Sequence, residues 1–247
     1  MRSKNRQYKH QLNYFDKEFA GNTKYTLDAW MITYIDRIKQ NVLDKNFKKK
    51  TIIDIATGSG YAAIEMAKMG MQVIACDLSP QSIKNLHKYK KDLSLSNLKL
   101  FVCKAEEIPL KNKSVDYILA NAILEHIPDE RAAVEEWKRI LKPNGKMFIT
   151  VPLKYRYVFP FLWPIVYLYD KRIGHLRRYD LKSLQKVFKL KTIKYFYSGH
   201  LVKIIGLIIN ILMKTNKLDQ YAERVDQEQE RKRYGANNIT VIFKNEK

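Results

Sequence analysis

The chain has 247 residues, room for one substantial α/β core or at most two small ones, and its 46 basic against 25 acidic residues leave a formal net charge of +21. Its two cysteines, Cys76 and Cys103, each sit inside an apolar run and read as small core residues in a reducing compartment, not as a disulfide framework or a zinc site. No stretch reaches the roughly 20 apolar residues of a membrane-spanning helix, and the basic N-terminus lacks the apolar segment of a secretion signal, so a soluble, cytoplasmic protein is expected.

In chain order, Leu27, Trp30, Met31, Tyr34, Ile35 and Ile38 recur at helical spacing and predict an amphipathic helix over 26–43. There follow strand 51–56, helix 61–69, strand 72–76, helix 80–92 with Ser79-Pro80 at its start, and strand 98–103. Strand 115–120, helix 129–141 stopped by "KPNG", and strand 146–151 continue the alternation. Strands separated by helices of about 10–15 residues imply right-handed βαβ units and a doubly wound, mostly parallel sheet. Beyond Pro152 the character changes. Residues 155–169 (YRYVFPFLWPIVYLY) are crowded with aromatics. A helix at 181–188, a strand at 190–197, an apolar run at 201–213, a charged helix at 217–233 and a strand at 238–243 follow, the last two strands as a plausible antiparallel pair.

The stretch "TIIDIATGSG" (51–60) places a carboxylate, Asp54, in a strand signal and follows it with Ala56, Thr57, Gly58 and Gly60. Small residues in that turn let backbone N–H groups and the next helix's N-terminus come close to a ligand. Asp77, ending the second strand, is placed to accept the hydroxyls of a ribose. Two nucleotide chemistries share this plan. A hydride enzyme would use Gly58-x-Gly60-x-x-Ala63 with Asp77; a methyltransferase would use Asp54-x-Ala56-x-Gly58-x-Gly60 with the same Asp77. A tight strand-to-helix turn alone would need one of these glycines.

The segments "AEEIPLKNKSVDYILANAILEHIPD" (105–129) and "ILKPNGKMFITVP" (140–152) make the difference. With 51–60 and Asp77 they resemble the class I S-adenosylmethionine-dependent methyltransferases, especially the small-molecule branch that includes quinone-pathway enzymes. The resemblance runs from about Thr51 to Pro152. It implies a seven-stranded sheet with an antiparallel last strand and S-adenosylmethionine as cofactor. It also implies that Asp54 to Gly60 wrap the methionine part, Asp77 takes the ribose and Leu78 packs beside the adenine. Ala105 and Glu106 would reach the adenine edge, and Asn121 and Ala122 would line the methyl-donor pocket. Two positions depart from the family pattern: Ala56 stands for the usual first glycine and Lys104 for an acid. The organisation expected is a single domain over 1–247, with an N-terminal helical cap (1–50), a cofactor-binding core (51–152), lid segments (153–189 and 198–236) and the terminal strand pair.

Transfer of a methyl group needs a positioned nucleophile and, for some acceptors, a base. Beside Glu125, His126 is one candidate base; the alternative is a histidine at a helix start contacting backbone or water. A quinone O-methyltransferase branch binds a divalent metal through Glu-x-x-Glu-His here, but the first Glu is Ala122 in this chain, so no metal is expected. "GHLRRYD" (174–180) resembles a lid segment of small-molecule members. In that reading His175 could act as base, Arg177 and Arg178 could hold an anionic substrate group, and Tyr179 could join them. Against it, the arginines could pin the insert by ion pairs. Tyr14, Phe15 and Tyr25 would close the other side of the pocket.

The expected acceptor is therefore small or amphipathic, including lipid-like molecules. A nucleic-acid methyltransferase or a basic binding module is the alternative, supported only by the charge; a solvated basic surface with no specific nucleic acid is favoured over it. The apolar stretches also suggest peripheral contact with anionic membrane. That demands Lys171, Arg172, Lys203 and Lys214 on one face, with Lys154 and Arg156 nearby.

Overall fold

The computed structural model describes residues 2–21, 24–213 and 217–246. Seven strands form its sheet: β1 (Thr51–Ile55), β2 (Gln72–Asp77), β3 (Leu98–Val102), β4 (Val115–Asn121), β5 (Leu141–Pro152), β6 (Lys191–Ser198) and β7 (Asn238–Lys244). They lie in the order β3-β2-β1-β4-β5-β7-β6. The first five run parallel, and β7 slots between β5 and β6, antiparallel to both. The doubly wound sheet with an antiparallel last strand is the one expected from sequence.

Alternation along the strands sorts the core onto two faces. In β1, Ile53 and Ile55 face one core cluster and Ile52 the other. Helices α2 (Ala29–Asn41), α3 (Tyr61–Lys68) and α4 (Pro80–Asp92) cover the Ile52 side. Helices α5 (Glu130–Ile140) and α7 (Leu181–Phe188) cover the opposite side, where Trp137 and Phe188 are fully buried. Helix starts follow their sequence signals. Ser79 Oγ accepts the Ser82 N–H in front of Pro80, Asp129 accepts the Ala132 N–H, and Asp180 forms a capping box with Ser183.

Two boundaries differ from expectation. β5 begins at Leu141, directly after α5, because Leu141 already pairs with Val115; the "KPNG" residues form an irregularity inside the strand, with Asn144 at a positive φ of 62°. The charged helix α9 spans only Asp219–Glu228, and the residues after it form turns. A helix α1 (Arg2–Ala20) fills the N-terminal cap segment.

The aromatic insert forms α6 (Trp163–Ile173), which rests on a small cluster of Val158, Leu162 and Val166 backed by Leu201 and Ile204 of α8 (Leu201–Met213). Its outer side is not covered: Phe161, Ile165 and Leu168 are each about two-thirds exposed. No described helix is long and apolar enough to cross a membrane. Of the four lysines and arginines expected on one face, Lys171 and Arg172 lie in the last turn of α6. Lys203 turns inward to pair with Glu223, and Lys214 lies outside the described residues.

Candidate active site

The strand order reverses between β1 and β4, and a cleft of about 520 Å³ opens at the carboxyl ends of β1, β2 and β4. Asp54, Ala56, Thr57 and Gly58 line it from the first turn, Asp77 and Leu78 from the second strand, Ala105 and Glu106 from the loop after β3, and Asn121 and Ala122 from β4. Gly60 does not reach the wall. It starts α3 at φ 76°, and a Cβ there would fall 2.0 Å from Leu86 Cδ2, so packing and turn geometry require it.

Two alanines occupy left-handed backbone at the cleft, Ala56 (φ 55°) and Ala122 (φ 51°). That conformation costs a non-glycine residue about 1 kcal/mol or more and collects at functional sites. Asp77 is buried; its Oδ2 accepts the Gly58 N–H and its Oδ1 the Ser79 N–H, both at 2.8 Å. Burial raises its pKa. Burial likewise raises Asp54 to about 7, partly offset by the 2.6 Å hydrogen bond from Thr57 Oγ1.

Helix α1 straps the cleft. Tyr8 donates to Glu106 Oε1, Ser79 Oγ donates to Asp16, Gln11 donates to the His126 carbonyl, and Gln7 to the Gly174 carbonyl. Lys104 stands over the Tyr8 ring at 5.5 Å, so it lies beside the strap and Glu106 supplies the acidic edge. Glu106 Oε2 remains buried without a partner. Both thiols, Cys76 and Cys103, are free and line the cleft as well as packing with the core.

A second cavity of about 380 Å³, the inner chamber, adjoins the first, sharing Phe15, Glu18, Trp30, Asn121, Ala122, His126 and Tyr169. Tyr14 lines it from α1, as expected. On its wall Glu125, His126 and His175 offer ligand-type atoms within 4.8 Å of one another. The reading that sought a carboxylate at Ala122 did not anticipate this cluster, because His175 comes from a distant segment. The Glu125 carboxyl is fully buried with neither oxygen hydrogen-bonded among the described residues, and burial pushes its pKa up to about 8. Burial and the neighbouring His175 push His126 down to about 3, leaving a neutral imidazole whose Nδ1 has no partner.

His175 is held differently. Its Nδ1 meets Asp170 Oδ1 at 2.8 Å, and its Nε2 lies 3.6 Å from Glu125 Oε1. Burial would raise the Asp170 pKa, but hydrogen bonds from Arg178, His175 and Tyr155 outweigh it and hold the carboxyl well below the usual range.

The lid residues meet different fates. Arg177 donates to the Ile127 and Pro128 carbonyls and lies on neither cavity wall. Arg178 lines the inner chamber, but its donors are spent on Asp170, Leu153 O and Asn237. Tyr179 is buried and donates to Glu130. These are contacts of the bracing kind: Arg177 on loop carbonyls, Arg178 on Asp170 and Tyr179 on Glu130. Tyr25 is also set elsewhere: the segment before α2 runs over α3, and the Tyr25 hydroxyl donates to Glu65 at 2.8 Å. The chamber is instead furnished by Thr33, Tyr34 and Arg37 of α2 and by Thr150 and Thr240 of the sheet. Thr33 and Tyr34 lie with Ile35 and Ile38 on the buried face of that helix, so the apolar spacing that predicts the helix also carries their position.

Residues 53–149 match the family described as "Methyltransferase domain". The chain carries a methyltransferase domain over that segment. It is 35% identical over 102 residues to the ubiquinone/menaquinone biosynthesis C-methyltransferase of Rickettsia prowazekii, covering 38% of this chain and 41% of that protein. It is 31% identical over 134 residues to the tRNA 5-carboxymethoxyuridine methyltransferase of Escherichia coli, covering 53% of this chain and 50% of that one. The chain thus spans about two-fifths to half the length of these curated relatives. The phosphoethanolamine N-methyltransferase 2 of Haemonchus contortus, solved with S-adenosyl-L-methionine, shares the fold at a TM-score of 0.67 and 18% identity over 95% of this chain and 56% of that one.

Proposed function

We propose that the protein transfers a methyl group from S-adenosylmethionine to a small or amphipathic acceptor held in the inner chamber. The observation that carries this reading is the acidity of the cleft in a chain of +21: Asp54 and Asp77 form its floor, and Glu106 keeps an unpartnered buried oxygen. A sulfonium nucleoside offers a cationic methionine side, ribose hydroxyls and an adenine edge, and these acceptors suit all three. Asp54 to Gly58 surround the methionine part, Asp77 holds the ribose, Leu78 packs beside the adenine, and Ala105 and Glu106 meet its edge.

When bound, the cofactor supplies a methyl group on a positively charged sulfur, open to in-line displacement. Asn121 and Ala122 lie where cleft and chamber meet, so the acceptor's nucleophile is positioned beside them. Phe15, Trp30 and Tyr169 line both cavities and exclude water from the junction. His175 is the group suited to take a proton from the acceptor, because Asp170 fixes its tautomer and stabilises the imidazolium that forms. His126, with its pKa near 3, is a weak base and shapes the wall beside Phe15.

The relatives divide between quinone and tRNA acceptors. A chamber of about 380 Å³ beside an aromatic junction favours the small acceptor over a nucleic-acid substrate. The bare apolar side of α6, ending in Lys171 and Arg172, favours an acceptor with a lipid-like part, delivered at an anionic membrane surface. Isotope-labelled S-adenosylmethionine offered to the purified protein with a small-molecule extract, and separately with total RNA, tests the reading. Label is expected in an extractable small molecule. Label in tRNA or rRNA would promote the nucleic-acid alternative, and binding of NAD without S-adenosylmethionine would end the methyltransferase reading.

A further inference from the structure

The inner chamber has a second polar pole, on α2. Tyr34 and Arg37 are one turn apart on that helix and both line the chamber. The Tyr34 hydroxyl and Arg37 Nη2 are buried without a hydrogen-bond partner among the described residues. The other lysine and arginine on the wall are matched, Lys203 by Glu223 and Arg178 by two bonds to Asp170. Arg37 has Glu230 at 3.7 Å from Nη2, too long for a hydrogen bond, and the Phe196 ring at 4.5 Å. Its side chain is 11% exposed.

Glu18, Glu125 and Glu223 stand on the same wall, and Asp226, Glu230 and Glu223 act on Arg37 through space, but none of these carboxylates hydrogen-bonds to Nη2. A desolvated guanidinium without hydrogen-bonded partners is unfavourable, and its planar fork matches the paired oxygens of a carboxylate or phosphate. Tyr34 cannot serve elsewhere, because its ring is wedged edge-on between Tyr61 and Phe148, which fixes the position of the hydroxyl.

We propose that the chamber holds the methyl acceptor by an anionic oxygen group, a carboxylate or a phosphate, bound by the Arg37 guanidinium and the Tyr34 hydroxyl. The rest of the acceptor extends toward Asn121 and Ala122, where its nucleophile meets the methyl group. This deepens the methyltransferase reading and rests on it. It also narrows the acceptor: a wholly apolar molecule would leave both donors dry.

Calorimetry on protein saturated with S-adenosylhomocysteine tests the proposal, with benzoate, phenyl phosphate and neutral phenol as probes. At least one anion is expected to bind about tenfold or more tightly than phenol, and which one does so tells carboxylate from phosphate. Arg37→Met should weaken that anion by about tenfold or more, in line with a lost hydrogen bond to a charged group. Tyr34→Phe, which keeps the wedged ring, should weaken it about three- to tenfold. Neither change should move S-adenosylhomocysteine affinity by more than about twofold, which also reports that the variants are folded. Anions that bind no better than phenol, or binding indifferent to Tyr34→Phe in a folded variant, would overturn the proposal. Wild-type protein that fails to bind S-adenosylhomocysteine would remove the reading beneath it as well.

Discussion

Replacing Asp77 by Asn separates what that side chain does for the loop from what it does for a ligand. The Oδ1 and Oδ2 atoms each accept one backbone N–H at 2.8 Å, from Ser79 and Gly58, in a site only 7% exposed. Asparagine keeps the size but turns one acceptor into a donor, so one N–H must lose its partner whichever way the amide is turned. An orphaned buried donor costs about 1–3 kcal/mol of stability. In a chain of this length that lowers Tm by about 2–4 °C per kcal/mol. Loss of a charged acceptor for a ribose hydroxyl costs about 1.5–3 kcal/mol of binding, or about 10- to 150-fold in Kd. Thermal denaturation reads the first effect and calorimetry with S-adenosylhomocysteine the second. A variant whose Tm falls while its Kd stays within about threefold of wild type would show that Asp77 only braces the turn, and would refute its assignment to the ribose.

Gly60→Ala should cost about 2–4 kcal/mol in urea denaturation, from the left-handed backbone and the overlap with Leu86, and a loss below about 0.5 kcal/mol would contradict that packing. Glu125 titrates near 8 when folded and near 4.5 when unfolded, so between those values the folded state holds the extra proton and stability falls as pH rises. The fall attributable to Glu125 approaches about 1.4 kcal/mol per pH unit. Glu125→Gln should therefore flatten the decline in Tm between about pH 6 and 8, and an unchanged slope would sink the assignment. His175→Gln should lower kcat with little change in S-adenosylhomocysteine affinity, by about 10²- to 10⁴-fold if the acceptor must lose a proton; an unaltered kcat would dismiss it as the base. Ile165→Ser combined with Leu168→Ser should reduce co-sedimentation with phosphatidylserine vesicles, whereas equal background recovery of wild type on phosphatidylserine and phosphatidylcholine would leave the α6 surface without a membrane role.

The cofactor half was legible because its chemistry is local. Asp54, the small residues of the turn and Asp77 follow one another within consecutive strands, and each strand's apolar alternation announces its place in the sheet. Gly60 shows the limit even there: it belongs to the motif but answers to Leu86, a contact no spacing reveals. The chamber was far less legible, since it gathers Arg37 from α2, His175 from the insert and Thr240 from β7. Arg177 and Arg178, adjacent in sequence, point to separate partners, so residue type alone could not say which would face the chamber. The decisive competitor was backbone: carbonyls left open at Ile127, Pro128 and Leu153 claimed the guanidinium donors first.

The position of β7 has a consequence for how the two cavities are built. β6 reaches the sheet only through β7, and β7 in turn pairs with β5 across a long intervening segment, as in Phe148 with Ile242. The floor of the first cleft is built on β1, β2 and β4, which pair with one another and need neither β6 nor β7. The wall of the second cavity takes Thr240 and Asn238 from β7 and Ser198 from β6. One strand therefore carries a whole wall: a lesion in β7 would strip Thr240, Asn238 and, with β6, Ser198 from the second cavity while leaving the strands of the first cleft paired.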